Sequence, residues 1–336
     1  MQENQQIVRL DDVARAAGVS TITASRALGN PERVSARTRE HVLKVAEALG
    51  YIPNRIAASL ASARTRVIGV VVPTIANPIH GTIVQSVSDV LEPAGYRLLL
   101  GSSRYHAAEE LELVRAFLGH RVDGILLTGR DRAPGCLELI GRSGTPVVEM
   151  YDYNPEPFDV AVGTSNFDAG VALTQFLLNQ SRRTLAFVGH SGIDDTRMTS
   201  RFNGMVAACA SAGAPVPAYY EISSGPGTGA GGEIVSAILS EAPQTEGIIF
   251  AGHQVAAGAI VYARDVGIAV PDRVAIAAFG DSPISRWITP TLTTMRFPLR
   301  ETGMEAGRLL LARLNGTEIK TRSVRLGFEI VRGESA

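Results

Sequence analysis

IVRLDDVARAAGVSTITASRALGNPERVSARTREHVLKVAEALGYIPNRIAASLAS, residues 7–62, is the stretch on which the reading of this chain turns. Within it, Asp11 to Ala17 places Val13, Ala14 and Ala17 on one face, the spacing of a short amphipathic helix. Gly18 follows where a left-handed C-cap residue costs least. Val19 then packs the turn, and Ser20 is placed to cap a second helix from Thr21 to Leu28. Helix, glycine turn and helix make a helix-turn-helix, which sets the N-terminal end of its second helix into the DNA major groove. That end presents Ser20, Thr21, Ile22, Ser25 and Arg26.

Charge is distributed to match. Residues 1–66 hold ten basic and six acidic side chains, a net of +4, whereas the remainder holds 22 and 27, a net of −5. A basic head on an acidic body suits a module that touches phosphates while the body stays off DNA. No apolar run reaches the roughly 18 residues of a membrane span, and the polar start MQENQQ lacks a signal-peptide pattern, so a cytoplasmic protein is expected. Cys136 and Cys209 read as buried thiols, no metal-ligand spacing appears, and no cofactor is expected.

Beyond residue 66, β-branched runs alternate with helical stretches, the pattern of an α/β doubly wound parallel sheet. Strands are predicted at 67–73, 96–102, 124–129, 146–151, 184–189, 247–252 and 274–280. Helices are predicted from Thr82 to Glu92, Ala107 to Leu118, Phe167 to Leu178 and Gln254 to Val266. The Pro-rich loop DYNPEPFD (152–159) reads as a boundary between two sheet units.

The pieces DDVARAAGVS, SRAL, VSARTREHVLKVAEALGY and IPNRIAASLAS resemble the lac-repressor family. The resemblance implies a three-helix DNA-binding domain (1–52), a hinge helix and linker (53–66), and a two-lobed, periplasmic-binding-protein-like effector domain (67–336). It divides the lobes at about 67–164 plus 296–325 and 165–295 plus 326–336. Thr21, Ile22 and Arg26 match the family's readout positions, and an arginine can bond guanine O6 and N7 together. Ser25, Ser35, Thr38 and Asn54 read as phosphate positioners. Leu60 matches a leucine that wedges into the minor groove. Such a wedge, and a helix-turn-helix that covers one half-site, imply a homodimer on a pseudo-palindromic operator. Arg9 stands where the family caps its first helix with threonine, leaving that role to Asp11 or Asp12.

Ligands of open α/β sheets sit beyond the carboxyl ends of the strands. The loops there supply Asn77, His80, Arg130, Glu149, Arg201, His253 and Asp281 as candidate effector-binding residues. Arg201 matches the position where relatives clamp hydroxyls or carboxylates. The family's Asn-Asp and Phe-Asp-Asp are replaced by Gly252-His253 and Phe279-Gly280-Asp281, so a carboxylate is missing at each place. Together with LTGRDRAP, TPVVEMYD, VGTSNFDAG and AFGD, this resembles the gluconate-repressor branch and implies a sugar-acid effector. The G-x-G-x-x-G string at Gly227–Gly232 reads as a strand-to-helix loop, and Gly189–Gly192 lacks the final glycine of a nucleophile elbow. No enzymatic activity is expected. The alternative is a sugar-binding protein or carbohydrate enzyme with a vestigial DNA-binding head.

Overall fold

Three local caps build the head. Helix α1 (Leu10–Ala16) starts where the Asp12 carboxylate accepts the Arg9 N–H at 2.9 Å, so Asp12 takes over the capping. It ends as Gly18 adopts φ +64° and the Val19 N–H returns to the Ala14 carbonyl at 3.0 Å, the left-handed closure that glycine permits. Ser20 and Ser35 cap α2 (Thr21–Gly29) and α3 (Ala36–Ala48), their Oγ atoms accepting from Thr23 N–H at 3.1 Å and Thr38 N–H at 3.2 Å. Val13, Ala14, Ala24, Ala27, Val42 and Ala46 form the core between the three helices.

The computed structural model describes residues 8–29, 33–52, 64–190, 195–222 and 229–336, which fall into two compact units divided between Thr65 and Arg66. Asn54, Leu60, Ser191 and most of the expected hinge lie outside the described residues.

The second unit holds two six-stranded sheets. Its strands are β1 (Val67–Val72), β2 (Arg97–Ser102), β3 (Gly124–Thr128), β4 (Val147–Asp152), β5 (Val160–Thr164), β6 (Leu185–His190), β7 (Ala218–Ile222), β8 (Gly247–Phe250), β9 (Ala275–Phe279), β10 (Thr293–Arg296), β11 (Ser323–Leu326) and β12 (Glu329–Val331). The first sheet runs β11-β5-β4-β3-β1-β2, all parallel; the second runs β12-β10-β9-β8-β6-β7, with only β12 antiparallel. The chain passes from one sheet to the other three times, after β5, β10 and β11. β1, β3, β4, β8 and β9 are buried nearly throughout, as strands covered on both faces should be.

Three expectations change. The loop 152–159 joins β4 to β5 within one sheet rather than dividing two units. Five further strands (β5, β7, β10, β11 and β12) complete the sheets beyond the seven predicted runs. Helix α4 (Pro78–Leu91) also starts four residues earlier than expected, because the Asn77 Oδ1 accepts the Ile79 N–H at 3.1 Å and Pro78 occupies the first turn.

Helices α5 (Ala107–Gly119), α6 (Cys136–Ser143), α7 (Asn166–Leu178), α8 (Thr196–Ser211), α9 (Gly229–Glu241), α10 (His253–Asp265), α11 (Ile284–Trp287) and α12 (Leu299–Leu314) follow. Gly229–Gly232 forms the first turn of α9 rather than the strand-to-helix loop expected there, and residues 227–228 lie outside the described residues. Cys136 and Cys209 are free and buried. Helices α7 and α8 pack closely: a Cβ at Gly170 would lie 2.2 Å from the Arg201 carbonyl oxygen, and one at Gly204 2.1 Å from that of Phe167. Two missing side chains therefore fix how near the Arg201 backbone approaches α7.

Candidate DNA-reading helix and ligand cleft

On α2, Thr21, Ile22, Ser25 and Arg26 all lie exposed, and Ile22 is 64% exposed although apolar. The buried side of the same helix is Ala24 and Ala27. An exposed isoleucine beside an exposed arginine on a short helix fits apolar contact with a thymine methyl next to a guanine clamp. Ser20, Ser35 and Thr38 sit at the N-terminal ends of α2 and α3. The Ser20 hydroxyl is engaged with Thr23 as a cap, and the Ser35 and Thr38 hydroxyls bond each other at 2.8 Å. They hold the helix ends that would carry backbone N–H groups toward phosphates. Thr21 Oγ1 donates to Asp11 at 3.0 Å, tying the reading helix to α1.

In the second unit both sheets reverse strand order beside their first strand, between β1 and β3 and between β6 and β8. The loops at those two switch points line one cavity of about 100 Å³. That is well below the roughly 300–1,000 Å³ of drug-sized pockets, so it suits a compact metabolite. Asn77 and His80 come from the β1 end, His190, Arg197 and Arg201 from β6 and α8, and His253 from the β8 end.

Arg201 is buried, its Nε donating to Asn166 Oδ1 at 2.8 Å and its Nη1 to the Ala251 carbonyl at 3.0 Å. Phe279 and Phe297 face its guanidinium, ring centroids 4.7 and 5.2 Å away. Asn166 in turn donates to Asp152 Oδ1 at 2.8 Å, and Asp152 pairs with Arg130 at 3.1 Å. This relay runs from the end of β4 in the first lobe to α8 in the second. Burial pushes the Asp152 carboxyl up, against the pull of Asn166 and Arg130.

Of the seven predicted cleft residues, Asn77, His80, Arg201 and His253 line the cavity and three do not. Arg130 acts through Asp152. Glu149 is buried and accepts from Asn154 Nδ2 and the Phe158 N–H, both at 3.1 Å, holding the 152–159 loop. Asp281 turns to Arg296, whose Nε donates at 2.8 Å, and to Thr294, in a separate groove.

Arg197 is one of the cavity residues absent from the predicted set, with Tyr105, Tyr151, His190 and Asp195. Four residues before Arg201, it shares that residue's helical face; this spacing was the available signal. Asp195 receives its Nε at 2.7 Å and its Nη2 at 2.8 Å. Burial opposes both charges, but the pairing outweighs it: Asp195 is held below the usual carboxylate range and Arg197 above its ordinary value.

Burial pushes the His80 imidazole down to about 3, helped by the Arg197 charge and only partly offset by Asp195. His80 is therefore neutral and suited to a hydroxyl. Burial also lowers His190 and His253, against Asp195 and Asp281 respectively. Tyr105 and Tyr151 line the same cavity with φ of +64° and +80°. Left-handed backbone costs a bulky residue roughly 1–3 kcal/mol, and two such residues at one cavity mark a built site.

With the geometry in place, comparison with known proteins is informative. Residues 9–54 match the profile of bacterial regulatory proteins of the lacI family, and residues 174–336 match the periplasmic binding protein-like domain. The HTH-type transcriptional regulator GntR of Pseudomonas aeruginosa is 36% identical over 97% of this chain and 95% of its own. GntR of Escherichia coli K12 is 32% identical over 97% and 98%. A LacI family transcriptional regulator from Silicibacter pomeroyi superposes with a TM-score of 0.91 at 30% identity, covering 98% of this chain and 99% of that one.

Proposed function

The chain belongs to the lacI family of bacterial regulatory proteins, and from that premise we propose that it is a sequence-specific transcriptional repressor released from its operator by a small sugar acid, of the gluconate or ketogluconate kind. The relatives it matches are regulators rather than enzymes. The observation that carries the ligand class is the charge balance of the cavity. Among the described residues Arg197 and Arg201 face it with Asp195 as the one lining carboxylate, and its histidines are held toward neutrality by burial. One net positive charge in a desolvated pocket attracts one anion. His80, Asn77 and the tyrosines supply partners for hydroxyls.

Readout lies with Thr21, Ile22 and Arg26 on α2, in two copies: one head covers one half-site, so the active form is a homodimer on a pseudo-palindrome in the cytoplasm. Among the described residues no helix is long and apolar enough to cross a membrane. Division into a head, a hinge over 53–66 and two lobes supplies the route by which lobe rotation reaches the DNA.

Two measurements test this reading. Ligands that bind the folded state raise its melting temperature. In a thermal-shift screen of sugars, sugar acids and sugar phosphates, gluconate or 2-ketogluconate is expected to give the largest rise; a larger rise with a neutral sugar contradicts the ligand class. Arg26→Ala is expected to cost about 1–3 kcal/mol on the cognate site and to relax preference at one base pair. An equal loss on cognate and random DNA would make Arg26 a phosphate contact instead.

A further inference from the structure

Three histidines reach the cavity from three elements: His80 from α4, His190 from β6 and His253 from α10. His253 owes its place to its neighbour across the cleft. Gly280 sits at φ +84°, and a Cβ there would fall 2.9 Å from the His253 Nδ1 and 3.2 Å from Ile79 Cδ1. Any side chain at 280 would therefore displace the imidazole. The missing side chain at 280 and the histidine at 253 are one coupled feature, which sets a titratable ring where an acidic residue does not fit.

Resting on the acid-ligand reading above, we infer that this regulator takes up one proton together with its ligand and that His253 holds it. The surroundings single out this ring. Asp281, in the loop after β9, favours its protonated form, whereas burial and its place as first residue of α10 disfavour it. In the empty cavity burial keeps it below its ordinary 6.5. A carboxylate entering the same desolvated space adds one negative charge and favours the imidazolium. His80 cannot respond in this way, because the Arg197 charge adds to burial in holding it near 3. His190 is only partly buried, and the Asp195 that faces it is already neutralised by Arg197.

The direction of the pH dependence follows. The free protein's His253 titrates below 6.5 and the complex's above that free value, so between the two values binding consumes a proton. Across that window ligand affinity falls as pH rises, by up to about tenfold per unit. Calorimetric titration of the full-length protein with gluconate at pH 6, 6.5 and 7, in phosphate, MES and bis-Tris, reads the proton directly: the slope of apparent enthalpy against buffer ionisation enthalpy is the number taken up. A positive slope inside the window between the two values is expected for the wild type, and a slope near zero with pH-independent affinity for His253→Gln. Tight gluconate binding with zero slope in the wild type overturns the inference and leaves the acid-ligand reading standing. An unchanged slope in His253→Gln moves the proton elsewhere and overturns it too. No binding of gluconate or 2-ketogluconate, with binding of glucose, overturns both.

Discussion

Arg201→Ala is expected to abolish the response to the acid ligand while operator affinity stays close to wild type. The residue is 8% exposed and makes two hydrogen bonds, to Asn166 and to the Ala251 carbonyl. Truncating a buried, hydrogen-bonded charge costs about 2–5 kcal/mol of binding, roughly 30- to several-thousand-fold in Kd. The loss has three sources: the net charge of the described lining falls to zero, the relay from Asp152 through Asn166 loses its end, and Phe279 loses the guanidinium against its face. The head, with its own caps and core, is untouched. Ligand calorimetry and operator anisotropy on the same preparation check both halves. Release by gluconate at wild-type concentrations would show that Arg197, not Arg201, receives the anion.

Gly204→Val is expected to damage the second lobe severely. A Cβ there would meet the Phe167 carbonyl oxygen at 2.1 Å, and that oxygen belongs to a helix backbone that cannot swing aside. Relief requires α7 and α8 to separate, which uncovers the buried Leu173, Met205 and Cys209 and moves Arg201 off Asn166. Overpacking typically costs 1–3 kcal/mol and sometimes more; with backbone as the obstacle, about 3 kcal/mol or more is expected. Urea unfolding followed by tryptophan and circular-dichroism signals measures it. A wild-type midpoint together with wild-type ligand affinity would show that the α7–α8 approach does not position Arg201.

Both predictions depend on features that sequence alone reveals unevenly. The head was legible because everything that shapes it is local: Gly18, Ser20 and Ser35 act within five residues of their partners. Strands β1, β3, β4, β6, β8 and β9 were legible because burial on both faces leaves apolar runs. β10 was not, since its buried Thr293 and Thr294 read as polar until Ala336 and Asp281, 43 and 13 residues away, accept their hydroxyls. β5 was hidden behind a Pro-rich loop that looks like a boundary and is held in place by Glu149.

The cleft divides along the same line. Position at a strand end is written in the sequence and brought Asn77, His80 and His253 together, while Arg201, on α8, was found through the family match. Which charges are already spent on neighbours is a tertiary fact. Asp281 is taken by Arg296 fifteen residues on, and Glu149 by the loop it braces. Arg197 remains at the cavity despite its pairing with Asp195, because that carboxylate lines the cavity beside it.

The account's central claim is that an acid ligand in this cavity controls the hold on DNA. A ligand shifts that equilibrium only by binding the two lobe arrangements unequally, and a coupling of about 1–3 kcal/mol, or roughly 5- to 150-fold, is usual. The direct measurement is a titration of gluconate and 2-ketogluconate into the full-length protein bound to a fluorescent operator selected from random duplexes, read by anisotropy. The predicted result is a saturable fall in anisotropy with wild-type protein and none with Arg201→Ala. Tighter DNA binding, or no response to either acid alongside release by a neutral sugar, would contradict it.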